Sequence, residues 1–160
     1  MSREIKFRGK RLDNREWVYG GYYKHLTRTP SPIGYRIKES DYEYLIFISG
    51  FSDWNMPKSL ECIEVDGNTT GQYTGLKDKN GKEIYEGDIV KCLDNDEKYY
   101  ISKIEYDNGC FMVEVHNYDY NYTSIGWALE DDILEIEVIG NIYENPELLL
   151  EGDIKCKMQS

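Results

Sequence analysis

Residues that could carry acid–base or nucleophilic chemistry are few and isolated in this sequence. The only two histidines, His25 and His116, each stand alone. A Ser-His-Asp or Cys-His arrangement would therefore have to be assembled entirely by the fold. The sequence contains no GxSxG nucleophile elbow, phosphate-binding loop or dinucleotide fingerprint. We therefore predict no catalytic residue and a protein that is not an enzyme, with an unrecognised hydrolase as the alternative.

The cysteines and histidines do not have the spacing of a metal-binding motif, and we expect neither a metal site nor a cofactor. The four cysteines form no CxxC pair, and they are Cys62, Cys92, Cys110 and Cys156. Three of them lie in apolar, strand-like runs, which favours buried, reduced thiols over a structural zinc site. Acidic clusters at Asp94-Asn95-Asp96 and Asp131-Asp132 have the right oxygen ligands for a divalent cation, but turn chemistry explains them as well.

Charge is distributed unevenly along the chain. Residues 1–38 carry ten Lys and Arg against three acids, a net of +7, whereas residues 76–160 carry eight Lys against twenty acids, a net of −12. The basic segment could bind a nucleic-acid backbone or pack against the protein's own acidic half. Its candidate phosphate contacts are Arg3, Lys6, Arg8, Lys10, Arg11 and Arg15. A further alternative is that the acidic half imitates DNA.

Tyrosine is unusually frequent, with fifteen residues in a chain of 160. Tyrosine suits half-buried strand faces, protein interfaces and base stacking. We expect a minority of them to lie on a binding surface together with the basic residues. The candidate binding residues are Arg8, Lys10, Arg11, Arg15, Tyr22, Tyr118, Tyr120 and Tyr122.

Composition and periodicity predict a globular, mainly β protein with antiparallel strands. No apolar run approaches the ~20 residues of a membrane helix, and the N-terminus lacks the apolar region of a signal peptide. One hairpin is predicted at the N-terminus, with strands at residues 5–9 and 16–23, and another at Asp107-Asn108-Gly109. We expect Trp54 and Met56 to cover a core edge, and residues 125–129 to form a strand.

The order of these elements predicts two subdomains. Residues 1–70 are expected to form an N-terminal β subdomain, and residues 71–152 an SH3-like small barrel, with its barrel strands at roughly 84–142. A short helix is predicted after Asn145, because Pro146 suits the first helical position. Residues 153–160 are expected to be a loose tail.

Three separated segments resemble the YopX family of bacteriophage and prophage proteins. They are Ile5-Lys6-Phe7-Arg8-Gly9-Lys10 with Trp17-Val18-Tyr19-Gly20; Tyr73-Thr74-Gly75-Leu76-Lys77-Asp78 running on to residues 81–90; and residues 137–149. The resemblance implies a small, mainly β, phage-encoded protein, and it supplies no known catalytic residue. The shared positions are glycines, a turn, apolar strand residues and a helix start, which read as fold determinants.

The resemblance and the residues together suggest a non-catalytic binding or regulatory module in the cytoplasm of a bacterial host. We expect a host or phage protein as partner, with nucleic acid as the alternative, no membrane, and a possible homo-oligomer. The variable stretches at residues 25–60 and 93–130 are the expected places for a partner surface.

Overall fold

The computed structural model describes residues 4–28, 33–94, 99–114, 122–130 and 134–150. Antiparallel strands dominate these ranges, so the predicted mainly β fold is confirmed. The chain forms two compact units, Met1–Gln72 and Tyr73–Ser160. Each unit has its own group of buried apolar side chains.

The first unit is built on a meander of four strands. Its strands are β1 (Phe7–Lys10), β2 (Trp17–Leu26), β3 (Tyr42–Ser49) and β4 (Leu60–Val65), and the start of β5 (Gly71–Lys77) pairs with β1. The predicted N-terminal hairpin is confirmed, since Arg8 pairs with Tyr19 and Lys10 with Trp17. Each strand pairs antiparallel with the next.

The end of β4 folds back onto the end of β1. Val65 forms an antiparallel bridge with Arg11, and the Asp66 N–H donates to the Lys10 carbonyl at 2.8 Å. A Cβ placed on Gly9 would lie only 3.0 Å from the Val65 side chain, so a larger residue there would push Val65 away at this crossing. The fold-back encloses Val18, Ile46 and Val65 on the inner face of the sheet.

The second unit contains the remaining strands and helix α1. They are β6 (Glu83–Tyr85), β7 (Asp88–Asp94), β8 (Tyr99–Lys103), β9 (Glu105–Asp107), β10 (Cys110–Glu114), β11 (Tyr122–Ser124), α1 (Ile125–Glu130) and β12 (Leu134–Asn141). The rest of β5 pairs with β6. Two three-stranded sheets follow, in the orders β12-β7-β8 and β11-β10-β9. The SH3-like barrel remains a prediction.

The hairpin predicted at Asp107-Asn108-Gly109 joins β9 to β10. Asp107 and Cys110 are paired across the turn, and Asn108 and Gly109 have φ values of 48° and 86°. Two consecutive left-handed residues are what a two-residue hairpin turn requires, and Asn-Gly tolerates them best. The short C-terminal helix is also present, because residues 147–150 are helical.

Residues 125–129 were predicted as a strand, but they lie in helix α1. Ile125 and Ala128 are fully buried in the core of the second unit, whereas Trp127 is exposed. Burial at positions i and i+3 is a helical spacing, which five residues are too few to reveal in sequence.

The prediction that all three strand cysteines are buried was wrong for two of them. Cys92 is buried, and burial raises the pKa of its thiol to about 12. Cys62 and Cys110 lie in strands but are exposed. Each strand has one solvent face, so a strand position alone does not decide burial. Cys156 lies outside the described residues.

The buried carboxylate of Asp78 joins the β5–β6 turn to strand β12. Its Oδ1 accepts the N–H groups of Asn80 at 2.8 Å and Lys82 at 2.9 Å. Its Oδ2 accepts the Val138 N–H at 3.0 Å. Desolvation opposes ionisation, but the three backbone donors outweigh it, and the pKa of Asp78 lies below its ordinary value.

We expect Asp78→Ala to lower the free energy of unfolding by about 3 kcal/mol, because buried N–H groups lose their acceptor. The exposed Glu64→Gln is the control and should change stability by less than about 0.5 kcal/mol. Because the folded pKa is depressed, the contribution of Asp78 is complete above the unfolded pKa and is lost as pH falls below about 4. Urea unfolding at pH 7 and pH 3 measures both effects; a variant as stable as the wild type at pH 7 would contradict this role.

Candidate binding surface

The connection between β3 and β4, residues 50–59, is a short loop whose two ends are held together. We call it the apex loop. The Gly50 N–H donates to the Ser59 carbonyl at 2.8 Å, directly beyond the last paired residues of the two strands. Inside the loop, the Met56 N–H donates to the Asp53 carbonyl at 3.1 Å and closes a β-turn. Asn55 occupies this turn in the left-handed conformation, with φ 68°, which Asn tolerates better than most residues.

The apex loop presents large apolar side chains to solvent. Trp54 is 98% exposed, Phe51 is 89% exposed and Met56 is 65% exposed. We predicted that Trp54 and Met56 would cover a core edge, and this is wrong. The core of the first unit is filled from the enclosed face of the sheet, so a loop closed at its own base adds nothing to it. Several contiguous exposed apolar groups are unusual on a monomer surface and mark interaction sites.

Sequence reasoning could have found this loop only indirectly. Its large apolar residues follow neither a period of two nor a helical period, and Ser52, Asp53 and Asn55 separate them. Apolar residues without periodicity inside a turn-forming segment have no regular element to bury them.

The outer face of the same sheet continues the apolar surface. Because Tyr22 pairs with the fully buried Ile46, the alternate residues of these strands point away from the core. Tyr19, Tyr23 and Leu60 are exposed on that outer face. Leu60 is the first residue of β4 and follows the apex loop directly. The apex loop and these three side chains form the candidate binding surface.

Two of the predicted phosphate-binding residues are engaged with nearby acids. Arg11 donates to both carboxylate oxygens of Asp13, at 2.9 and 2.6 Å. The side-chain hydrogen bond to Asp13 raises the pKa of Arg11. Arg15 donates to Asp66 at 3.1 Å, and this bond lowers the pKa of Asp66. All four residues belong to the first unit, so these cations find their acids locally.

Arg8 and Lys10 lie next to the same aromatic ring. The Arg8 guanidinium carbon is 4.7 Å from the centre of the Trp17 ring, and the Lys10 ammonium is 5.3 Å from it. Arg8 is buried and Lys10 half-buried. Cation–π contacts of this kind orient the side chains along the sheet. Their predicted role in binding stays a prediction.

The four predicted tyrosines do not form one group in the structure. Tyr22 lies on the inner face, where its ring packs 5.0 Å from Phe7, and burial raises its pKa. Tyr122 is half-exposed in β11 of the second unit. Tyr118 and Tyr120 lie outside the described residues.

In the described ranges, no group of three or more His, Cys, Asp or Glu side chains is arranged to hold a metal ion. None of the helical segments in those ranges has the length and apolar content that a membrane crossing requires.

The fold and the surface define the class of this protein. It is a mainly antiparallel β protein in two units, with an apolar loop at the end of one sheet. The family model described as YopX protein matches residues 6–150. The chain therefore belongs to the YopX family. It is 40% identical over 112 residues to the SPbeta prophage-derived uncharacterized protein YopX of Bacillus subtilis (strain 168), a match covering 65% of this chain and 81% of that protein.

One solved structure agrees with this assignment, and a second shows similarity only. The crystal structure of YopX from Bacillus subtilis superposes with a TM-score of 0.52 and 25% identity, covering 90% of this chain and 97% of that one. A crystal structure of a protein from Enterococcus faecalis gives a TM-score of 0.48 and 28% identity, covering 92% and 99%. The Bacillus subtilis structure supports the mainly β fold across both units.

We expect Trp54→Ala to leave the free energy of unfolding within about 0.5 kcal/mol of the wild type, because the side chain loses no packing. Phe111→Ala, which empties a buried position in the second unit, should cost about 3–5 kcal/mol in the same denaturation experiment. A loss above about 1 kcal/mol for Trp54→Ala would mean that the loop packs against the protein itself.

Proposed function

We propose that this chain is a phage- or prophage-encoded accessory protein that acts without catalysis, by binding a host or phage protein in the bacterial cytoplasm. The observation that carries the proposal is the nearly complete exposure of Trp54 on a loop closed at its base. Tryptophan is among the residues that dominate protein interfaces, and burying one such side chain releases several kcal/mol.

The closed base of the apex loop favours binding in a second way. The bonds from Gly50 to Ser59 and from Met56 to Asp53 fix the backbone before a partner arrives. A preordered loop loses less conformational entropy on association, so more of the apolar burial contributes to affinity. An apolar anchor on a rigid turn fits a pocket on another protein.

A protein partner is favoured over a nucleic acid by charge. The chain carries a net charge of −11, which repels a phosphate backbone. Arg11 and Arg15 donate to carboxylates of their own unit. The apex loop itself contains one acid, Asp53, and one base, Lys58, so its affinity has to come from apolar contact.

Photo-crosslinking inside bacteria that carry the phage or prophage tests this proposal. A benzophenone amino acid replaces Trp54 in one protein and Trp127 in the control. Trp127 is also exposed, but it lies on helix α1 of the second unit. We expect a discrete protein adduct from position 54 alone. Excess unlabelled wild type should abolish the adduct, and excess Trp54→Ala should not.

Three results would contradict the proposal. Equal adducts from positions 54 and 127 would show nonspecific contact. Equal competition by wild type and Trp54→Ala would remove the loop from the interface. An adduct that nuclease destroys would identify a nucleic-acid partner instead.

A further inference from the structure

A cleft of about 340 Å³ opens in the second unit, and nothing in the proposed binding through the apex loop uses it. The turn before β7, the junction of β8 with β9 and the segment after β12 surround it. Its lining residues are Glu86, Gly87, Lys103, Ile104, Glu105, Tyr106, Asp107, Ile142 and Tyr143. Ligand pockets start at about 300 Å³, so a cleft of this size suits one side chain or a small molecule.

The floor of the cleft is rigid. The Gly87 N–H donates to the Ile104 carbonyl at 2.9 Å, and the Ile142 N–H donates to the Gly87 carbonyl at 2.9 Å. Gly87 has φ +79°, and a Cβ there would lie 3.1 Å from the Tyr143 ring. Only glycine allows both this turn and this close approach of the ring. The backbone and Tyr143 therefore hold a fixed shape.

One wall of the cleft is aromatic. The Tyr106 ring meets Phe111 edge-on, with 5.2 Å between centroids and an interplanar angle of 63°. This contact orients the ring, while more than half of the side chain stays exposed. An oriented, exposed ring face attracts a cation through its quadrupole.

The charges of the lining are predominantly negative. The lining residues include three acids, Glu86, Glu105 and Asp107, and one base, Lys103. The Lys103 ammonium is already in an ion pair with Glu105. The formal charges of the lining residues sum to −2, from three carboxylates and one ammonium, and this sign favours a positively charged ligand.

We propose that this cleft binds the guanidinium side chain of an arginine in a polypeptide partner. A guanidinium is planar, so it can stack on Tyr106 while donating two hydrogen bonds to a carboxylate. It is also more weakly hydrated than an ammonium, which lowers the cost of entering the cleft. The cleft would give a partner a second contact, polar and specific, that is independent of the apex loop.

Titration of the whole protein with the peptide acetyl-Gly-Arg-Gly-amide, followed by amide NMR, tests this inference. The same peptide with citrulline has nearly the same shape without the charge and serves as the ligand control. We expect the arginine peptide to shift the amides of Gly87 and Ile104, and the citrulline peptide to leave them unchanged. Asp107→Asn and Tyr106→Leu should each weaken Kd about fivefold to tenfold.

Glu64→Gln is the matched protein control, because it removes the same charge from an exposed site in the first unit. It should bind the arginine peptide as tightly as the wild type. Equal weakening by Glu64→Gln would reduce the effect to net-charge attraction. Equal binding of citrulline, unchanged Kd in both cleft variants, or shifts spread evenly over the surface would each overturn the inference.

Discussion

The antiparallel bridge between Arg11 and Val65 decides which side of the first unit faces outward. It brings the end of β4 back to β1 and encloses Val18 and Ile46 with Val65. One face of every strand is thereby committed to the core, and the alternate face must meet solvent or a partner. The β3–β4 connection leaves this sheet after the paired residues end, so its apolar side chains cannot reach the enclosed core.

The Asp78 carboxylate holds distant segments of the second unit together, as the Arg11–Val65 bridge does in the first unit. Asp78 satisfies three backbone N–H groups, one of them sixty positions away in β12. Asp88 is also buried and accepts the Tyr85 N–H at 2.8 Å. Buried carboxylates are tolerated only where such donors replace water. They fix the turns on either side of β6, and the second of these turns contributes Gly87 to the floor of the cleft.

Local signals predicted much of the fold. Alternating residues in β1 and β12, the apolar run of β3 and the Asn108-Gly109 turn identified strands and hairpins, because strand patterns and turn chemistry are local. Helix α1 was missed because a helix of one and a half turns shows little periodicity.

The surface was harder to predict, because exposure depends on which face the long-range bridge encloses. Trp54 is a residue type that is often buried. Its exposure depends on the loop that Gly50 and Ser59, nine positions apart, close by their hydrogen bond. The carboxylates and Tyr106 of the cleft come from separate segments of the chain, so no single sequence motif predicts them.

Trp54 projects into water in the free protein, and we propose that it becomes buried when a protein partner binds. Iodide quenching of Trp54 fluorescence in a Trp17→Phe, Trp127→Phe variant measures this directly, before and after addition of the cross-linking partner. We expect efficient quenching of the free protein and protection in the complex. A complex that forms while Trp54 remains fully quenched would contradict this proposal.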